Sequence, residues 1–378
     1  MKIKRSLEVD ILNHFEKSGK GVVILGPRQA GKTTLVSDIL AIKKWKTLVL
    51  NGDRRGDWWE ILQSRELTKI KLLLSGYEAL FVDEAQKIPE IGTILKIILD
   101  EMPGMKVLVT GSSSLDLSSK ISEPLTGRVY NYKLYPISQL ELGKTFTLFE
   151  MSENLEERLV VGSYPEVFSL AGIINKQEYL ANITDNYLYR DLLEYDGIKN
   201  SSKIRDLLKL LAFQIGQQVS VNELATSLSL SRDTVSKYID LLEKSFVIFR
   251  LGGFSRNLRK EVSKMDKIYF YDLGIRNTII GNLSLLNSRN DVGQLWENFL
   301  IVERIKKQTY QHKLFSQYYW RLNSGAEIDL VEEESGQLTG FEFKWGKKVV
   351  SGPKSWIDGY PSAKFETVNK ENYGDFLK

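Results

Sequence analysis

The chain contains no cysteine and only two histidines among its 378 residues. Without cysteine it has no disulfide framework, no zinc site built on thiolates and no thiol nucleophile. Two histidines leave little room for a histidine-built metal site or a Ser-His triad. Any metal that this chain binds is therefore expected to be a hard cation with oxygen ligands.

Long apolar runs are also missing from the sequence. No uninterrupted stretch reaches the ~18 residues that a membrane-spanning helix needs. The first residues, MKIKRSLEVDILNHF, are basic, then acidic and amphipathic, unlike the apolar core of a signal peptide. We therefore expect a cytoplasmic protein with no membrane partner. The formal net charge of +4 allows nucleic acid as a partner without requiring it.

The composition, with 42% hydrophobic and 26% charged residues, is that of a globular chain. Its length predicts about two to three domains. In residues 1–140, amphipathic stretches separate short β-rich runs, which are GVVIL, TLVLNGD, ALFVDE, KVLVTG and VYNYKLYPIS. Such continuous apolar strands predict a parallel sheet covered on both faces, which is a three-layer α/β domain.

Three further segments follow this α/β domain. Residues 141–216 have helical periodicity and many tyrosines, and they predict a helical lid or linker. Residues 217–285 have the spacing of a winged helix-turn-helix. Residues 286–378 begin with the amphipathic helix GQLWENFLIVERIKKQ and continue into a hairpin with arms AEIDLV and LTGFEFKW, which predicts an α+β domain.

The segment GPRQAGKT matches the pattern G-x-x-x-x-G-K-[ST] between an apolar strand and a helix. In such a loop the backbone amides surround the β-phosphate, the lysine bridges the β- and γ-phosphates, and the hydroxyl binds Mg²⁺. The residues predicted to bind ATP and its Mg²⁺ are Gly26, Pro27, Arg28, Gln29, Ala30, Gly31, Lys32, Thr33, Thr34 and Ser112. An ordinary βα turn, the alternative, leaves the adjacent Gly-Lys-Thr unexplained.

Two carboxylates, Asp83 and Glu84, end the apolar strand in EALFVDEAQ. Carboxylates at this end of a strand lie on the ligand side of an open α/β sheet. We expect Asp83 to hold Mg²⁺ through water and Glu84 to orient and deprotonate the attacking water. Surface solvation of two acids is the alternative, and the apolar residues before them disfavour it. Together the two motifs predict ATP hydrolysis.

Two further positions complete the predicted nucleotide site. Thr110 and Ser112 end the next strand, where a hydroxyl would sense the γ-phosphate or simply close a turn. Arg128 in LTGRVYNYKL would neutralise charge that develops during phosphoryl transfer, in cis or as a finger offered to a neighbour in a homo-oligomer. A surface salt bridge is the alternative for Arg128.

The motifs GPRQAGKTT, FVDEAQKIP, VLVTGSSS, LTGR, LYPISQLE and VGSYPEV resemble those of a known family. They are similar to the successive motifs of bacterial and archaeal AAA-type P-loop ATPases that carry a winged helix and a C-terminal nuclease-like domain of unassigned function. The resemblance spans nearly the whole chain. It implies ATP-handling roles for Lys32, Thr33, Asp83, Glu84 and Arg128, but it implies no biological role.

The C-terminal hairpin carries a second candidate site. Alternate side chains of a strand share a face, so Glu342 and Lys344 of FEFKW point one way while the three aromatic residues between and beside them point into the core. Asp329 of AEID adds a side chain from the neighbouring strand, and Glu297 adds one from the preceding helix. The three acids would hold Mg²⁺ or Mn²⁺, and Lys344 would orient and acidify the attacking water.

This order, a helix acid, then Asp, then Glu-x-Lys, resembles the PD-(D/E)xK nuclease fold, with Ile328 in place of the proline. The resemblance implies metal-dependent cleavage of DNA. The alternative is a nuclease-like fold that serves as a binding or oligomerisation module without cleavage.

The middle segment predicts two short helices, near Val221–Leu228 and Ser231–Lys244, with FVIFRL as the wing strand. In a DNA reader the second helix enters the major groove. Its solvent face offers two cations, Arg232 and Lys237, beside acidic residues. The wing offers further cations for phosphates, which are Arg250, Arg256, Arg259, Lys260 and Lys264. A protein-packing spacer is the alternative.

The leading interpretation is a Mg²⁺-dependent ATPase whose nucleotide state controls a C-terminal nuclease-like domain acting on DNA. The alternative is an ATP-driven regulatory switch with a catalytically inactive nuclease-like domain. A small-molecule kinase is disfavoured, because nothing after the phosphate loop suggests an acceptor pocket.

Overall fold

The computed structural model describes four stretches of the chain, namely residues 2–112, 124–188, 201–256 and 265–377. They form two compact units. The first contains Lys2–Pro136 with the short segment Lys244–Phe246, and the second contains Ile137–Glu243 and Val247–Lys378.

The first unit is built on five parallel strands. They are β1 (Gly21–Leu25), β2 (Thr47–Asn51), β3 (Ala79–Asp83), β4 (Lys106–Gly111) and β5 (Val129–Lys133). Their order is β2-β3-β4-β1-β5, and every neighbouring pair is parallel. Strands β1 and β3 are buried along their whole length, as expected of central strands with helices on both faces. The predicted parallel α/β sheet is confirmed.

Helix α1 (Leu7–Lys17) precedes the sheet, and helices fill the connections from β1 to β4. The connecting helices are α2 (Lys32–Lys43), α3 (Trp58–Ser64), α4 (Leu67–Leu73) and α5 (Ile91–Glu101), with a short 3₁₀ turn at Ala85–Lys87. In α5 the buried residues Ile91, Ile94, Leu95 and Ile98 are spaced three and four apart, so one apolar stripe faces the core. Helix α2 begins immediately after the glycine-rich loop, which places that loop at the carboxyl end of the sheet.

The second unit begins with helices. They are α6 (Gln139–Leu142), α7 (Leu148–Glu153), α8 (Leu155–Val161), α9 (Ile173–Asn182) and α10 (Ser201–Phe213), with a 3₁₀ turn at Pro165–Phe168 and a π-helical segment at Ile183–Leu188. Among the residues that the structure describes, no helix has the length and apolar character needed to span a membrane.

The middle segment contains the two predicted helices, α11 (Val221–Leu228) and α12 (Arg232–Lys244). Ser229 between them adopts a left-handed conformation with φ 55°. Strand β6 (Ile248–Leu251) then pairs antiparallel with β7 (Lys267–Phe270). The predicted helices and the strand after them are confirmed, whereas the assignment of this segment as a winged helix stays a prediction.

The C-terminal segment follows α13 (Leu273–Ile279), a 3₁₀ turn at Leu286–Ser288 and the long helix α14 (Val292–Tyr310). Its elements are β8 (Ser316–Arg321), β9 (Glu327–Glu334), β10 (Gln337–Phe343), α15 (Lys354–Gly359), β11 (Lys364–Val368) and α16 (Tyr373–Leu377). The four strands form a mixed sheet of order β11-β10-β9-β8, in which only β10 and β11 are parallel.

The predicted hairpin of β9 and β10 is confirmed, with one correction. Strand β10 ends at Phe343, so Trp345 lies beyond the alternating pattern and does not continue it. Trp345 is half-buried, and its ring meets the ring of Trp296 on α14 at a centroid distance of 5.3 Å. The core of this sheet contains Phe254, Trp320, Ile328, Val331, Leu338 and Trp356.

Candidate nucleotide site and C-terminal acid cluster

The glycine-rich loop connects β1 to α2, and its backbone depends on two glycines. Gly31 has a φ of 92°, which a residue with a side chain rarely adopts. A Cβ on Gly26 would lie 2.0 Å from the carbonyl oxygen of Leu134, so the loop can pass the end of β5 only without a side chain there. These two glycines therefore give the loop its path.

Lys32 points back into this loop. Its Nζ donates hydrogen bonds to the carbonyl oxygens of Gly26 at 2.9 Å and Pro27 at 2.8 Å, and the side chain is buried. The ammonium is thus held where the loop surrounds a phosphate in proteins with this motif. Of the other predicted loop residues, Pro27 and Ala30 are buried, Arg28 is partly exposed, and Gln29 and Thr34 are exposed.

The two predicted Mg²⁺ ligands of this unit, Thr33 and Asp83, are in contact. The Thr33 hydroxyl donates to the Asp83 carboxylate, with Oγ1 to oxygen distances of 3.1 and 3.2 Å. The Thr110 hydroxyl also donates to Asp83 Oδ1. Asp83 is buried at the end of β3, so its carboxylate is held beside the first turn of α2.

Glu84 follows Asp83 in a left-handed conformation with φ 48°, which turns the chain sharply after the strand. Gln86 Nε2 donates to Glu84 Oε2 at 2.5 Å and to Ser112 Oγ at 2.9 Å. Gln86 therefore connects the predicted general base to the predicted γ-phosphate sensor. The sequence reasoning missed Gln86, although its position two residues after Glu84 was a usable signal.

Arg128 lies at the wrong end of the sheet for a role in cis. Its carbonyl oxygen accepts from the Gly21 amide, so it stands beside the amino end of β1, whereas the loop follows the carboxyl end of that strand. Five strand residues separate the two ends by about 15 Å. The guanidinium instead pairs with Asp100 at 2.6 and 3.0 Å. The cis alternative is wrong, and a role in trans stays a prediction.

The C-terminal prediction placed Asp329, Glu342 and Lys344 together, and the structure has them adjacent. Lys344 Nζ lies 2.6 Å from Glu342 Oε1. Asp329 Oδ2 accepts from the Phe343 amide at 2.7 Å, across the β9–β10 hairpin. Burial, with the carboxylates of Glu297 and Glu342, raises the pKa of Asp329 well above its usual range.

The structure adds to this group a lysine that the sequence reasoning missed. Lys267, the first residue of β7, lies 3.1 Å from Glu297 Oε1 and 2.6 Å from Glu327 Oε1. The Tyr269 hydroxyl also donates to Glu297 Oε1, at 2.5 Å. Burial opposes the charge of Lys267, but the carboxylates of Glu297 and Glu327 outweigh burial and raise its pKa. We call these residues, with Asp329, Glu342 and Lys344, the acid cluster.

The sequence held two signals for these additional members. Glu327 stands two residues before Asp329 in the same strand, so alternation puts both on one face. Lys267 opens the otherwise apolar strand KIYF, where a charged residue requires a partner. Both signals concern ion pairs between residues far apart in the sequence of the second unit. A search for the D…E-x-K pattern does not consider such pairs.

The acid cluster does not fit a divalent metal in this arrangement. Among the described residues, no group of three or more Asp, Glu or His side chains is placed to hold a metal ion. Glu297 is taken up by Lys267 and Tyr269, and Glu342 is taken up by Lys344. Metal binding by Glu297, Asp329 and Glu342 stays a prediction.

The predicted DNA-binding cations of the middle segment differ in their surroundings. Arg232 and Lys237 on α12 are exposed. Arg250 is not free for phosphate contacts, because its guanidinium pairs with Asp240 at 2.8 Å and Glu243 at 2.6 Å. Arg256 stacks on the Tyr360 ring at 5.0 Å. Three further predicted cations, Arg259, Lys260 and Lys264, lie outside the described residues.

Three segments of the chain match known domain models. Residues 18–143 match the model of an AAA domain, and residues 152–285 and 292–355 match two domains of unknown function, DUF8612 and DUF4143. An uncharacterized protein of Mycobacterium tuberculosis is 31% identical over 329 residues, which are 85% of this chain and 70% of the relative. The chain belongs to the family of this protein, which is a family of AAA-type P-loop ATPases.

The chain is also similar to an archaeal protein. An uncharacterized protein of Methanocaldococcus jannaschii is 27% identical over 320 residues, covering 80% of this chain and 69% of the relative. Among solved structures, a Walker-type ATPase of Pyrococcus abyssi aligns with a TM-score of 0.50 at 13% identity, over 72% of this chain and 94% of its own. At that identity the likeness shows the P-loop ATPase fold alone.

Proposed function

We propose that the first unit of this AAA-type ATPase binds ATP with Mg²⁺ and hydrolyses it. The observation that carries the proposal is the contact between Thr33 and Asp83 at the end of β3, beside the loop that encloses Lys32. A hydroxyl and a carboxylate side by side at the carboxyl end of a parallel sheet are the protein groups that hold Mg²⁺ in P-loop ATPases.

Each residue then has one role. Lys32 leaves the carbonyl oxygens of the loop and donates to the β- and γ-phosphates instead. Thr33 and Asp83 would hold Mg²⁺, which would neutralise phosphate charge. Glu84 orients the attacking water and accepts its proton. Gln86 positions the Glu84 carboxylate and links it to Ser112, which contacts the γ-phosphate.

Phosphate release from ATP with Mg²⁺ tests these roles. We expect Lys32→Ala to lose nucleotide binding and hydrolysis, and Glu84→Gln to lose hydrolysis while still binding ATP. The matched controls are Lys69→Ala and Glu66→Gln, because these two exposed residues pair with each other at the start of α4. Full hydrolysis in Lys32→Ala or Glu84→Gln would refute the assignment.

A second candidate function is cleavage of DNA under control of the ATPase, for which a divalent metal would have to displace the lysines of the acid cluster. The adjacency of Asp329 and Glu342 across the β9–β10 hairpin supports it. The internal pairing of Glu297 supports the alternative instead, an ATP-driven switch whose nuclease-like region binds nucleic acid or protein without cutting.

Cleavage of linear and supercoiled DNA, with Mg²⁺ or Mn²⁺ and with or without ATP, separates these two functions. A nuclease loses cleavage in Asp329→Asn and Lys344→Met but keeps it in the exposed controls Glu334→Gln and Lys347→Met. If the intact chain hydrolyses ATP and cuts nothing, the switch is the function. Cleavage that survives in Asp329→Asn would show that another site cuts.

We also propose that α12 contacts DNA through phosphates. Arg232 and Lys237 are exposed on this helix, and a helix after a short turn is the element that enters the major groove in helix-turn-helix proteins. Fluorescence anisotropy with duplex DNA at several salt concentrations tests it. The double variant Arg232→Ala/Lys237→Ala should weaken binding and reduce the salt dependence, and unchanged binding would refute the contact.

A further inference from the structure

Lys267 is a buried charge with an unusual set of neighbours. Its side chain is 3% exposed. A buried ammonium is strongly unfavourable unless carboxylates and hydrogen bonds compensate it. Compensation comes from Glu297 on α14 and Glu327 on β9, and the ammonium also lies 5.4 Å from the centre of the Tyr319 ring. Three separate elements of the second unit therefore supply partners to one lysine.

The carboxylates around Lys267 are those of the predicted metal site or their neighbours. Glu297 is itself a predicted ligand, and Glu327 shares a strand face with the predicted ligand Asp329. Glu342 lies across the hairpin from Asp329 and takes the second lysine of the cluster, Lys344. The ammonium of Lys267 thus contacts one predicted metal ligand, Glu297, and one neighbour of a second, Glu327.

An ammonium and a divalent ion compete at Glu297. Lys267 and Tyr269 both contact Glu297 Oε1, so a metal that binds this oxygen has to displace them. A metal at its usual distance of about 2.1 Å from carboxylate oxygens would also lie within a few ångströms of a positive charge with no water between them. Binding of a metal therefore requires Lys267 to leave.

We propose that Lys267 is the resident cation of the acid cluster and that the cluster holds this lysine in place of a divalent metal. The lysine belongs to β7, which lies in the segment before the C-terminal sheet, so the cation is supplied by the chain itself. The inference rests on the second candidate function in one respect, which is that Glu297, Asp329 and Glu342 are taken as the acids that would bind a metal. It is independent of ATP hydrolysis.

Calorimetric titration of Mn²⁺ into the full chain without nucleotide tests the proposal. The intact chain should show no Mn²⁺ binding that depends on Asp329. The Lys267→Met variant, which keeps the length of the side chain and removes its charge, should bind about one Mn²⁺ per chain at least tenfold more tightly than the intact chain. Adding Asp329→Asn to this variant should abolish the gain, and Lys267→Arg should bind no Mn²⁺.

Two results would overturn the proposal. The first is that the intact chain binds Mn²⁺ and that Asp329→Asn abolishes this binding. This result can be obtained without any lysine variant. The other is a folded Lys267→Met variant, checked by circular dichroism, that binds no Mn²⁺. No nucleotide is present, so a failure of the proposed ATP hydrolysis would not affect either result.

Amine acylation followed by mass spectrometry tests the position of the lysine in the intact chain, even if Lys267→Met does not fold. Lys347, whose side chain is 84% exposed, is the internal reference. We expect Lys267 to react at least tenfold more slowly than Lys347, because its ammonium is enclosed by carboxylates. Equal reaction rates would show that the lysine does not occupy the cluster and would overturn the proposal.

Discussion

Gly52 offers a way to displace the predicted general base without touching the nucleotide loop. It follows β2, and its amide donates to the Asp83 carbonyl at 2.9 Å. A Cβ on this residue would lie 2.3 Å from the Glu84 carbonyl oxygen and 3.1 Å from Lys87 Cβ. Ordinary contact begins near 3.4 Å, so Gly52→Ala forces the Glu84 turn to retreat by about 1 Å.

The size of the expected effect follows from this displacement. A misplacement of about 1 Å at a catalytic group costs about 100-fold in rate. We therefore expect the kcat of Gly52→Ala for ATP hydrolysis to fall about 100-fold. The affinity for ATP should stay within about threefold, because the phosphate loop is unchanged.

Stopped-flow phosphate release gives the rate, and titration with a fluorescent ATP analogue gives the affinity. Gly104→Ala is the matched control, since a Cβ there meets nothing within 4 Å. Thermal melting establishes that Gly52→Ala is folded at the assay temperature, because overpacking costs about 1–3 kcal/mol of stability. A folded Gly52→Ala chain with normal kcat, or one that loses affinity in proportion to rate, would refute the reasoning.

Three further predictions concern other parts of the chain. Burial raises the pKa of Asp272 from 3.8 to about 6, so its ionisation destabilises the fold above about pH 6, and this cost is relieved as the pH falls toward 4. When the pH is lowered from 7.5 to 5, the free energy of unfolding, measured with urea, should therefore rise by about 1.4 kcal/mol more in the intact chain than in Asp272→Asn. An equal change in the two chains would contradict the burial argument. Arg128→Ala should change the rate of phosphate release by the dilute chain less than about twofold, because its partner is Asp100 at the far end of the sheet, and a large loss would restore a role in catalysis. Trp356→Ala should cost the second unit about 3–5 kcal/mol in urea unfolding, because this ring is 1% exposed in the C-terminal core, and a loss below about 1 kcal/mol would contradict that packing.

The nucleotide half of the chain was predictable from sequence because its information is local. Gly26, Gly31 and Lys32 stand within one short loop, and the strand before that loop and the helix after it are marked by apolar periodicity. The parallel sheet then brings Asp83 to the same edge, since all its strands end on one side. Motif and topology together were therefore enough to place Thr33 beside Asp83.

The position of Arg128 shows where local pattern stops being informative. The residue stands close before β5, and nothing in LTGR says whether its side chain turns toward the carboxyl or the amino end of the sheet. Strand β5 runs parallel to β1, with Gly21 opposite Val129, so the residue before β5 lies at the amino end of the sheet. The predicted parallel sheet already implied this position, because parallel strands that end on one side also begin on one side.

The acid cluster shows a second limit. The alternation of Glu342 and Lys344 was readable from one strand, but Lys267 lies 30 residues before Glu297 and 60 before Glu327 in the sequence. A buried lysine can be recognised as improbable within an apolar strand, whereas its partners are fixed only by tertiary packing. The pattern therefore predicted the acids Glu297, Asp329 and Glu342 but not the ammonium that contacts Glu297.

The identity of the nucleotide that remains bound after one turnover tests the central claim most directly. The chain is incubated with ATP and Mg²⁺, separated from free nucleotide and denatured, and the released nucleotide is identified by chromatography. We predict ADP from the intact chain, ATP from Glu84→Gln and no nucleotide from Lys32→Ala. Release of ADP from Glu84→Gln at the rate of the intact chain, or retention of ATP by Lys32→Ala, would contradict the account.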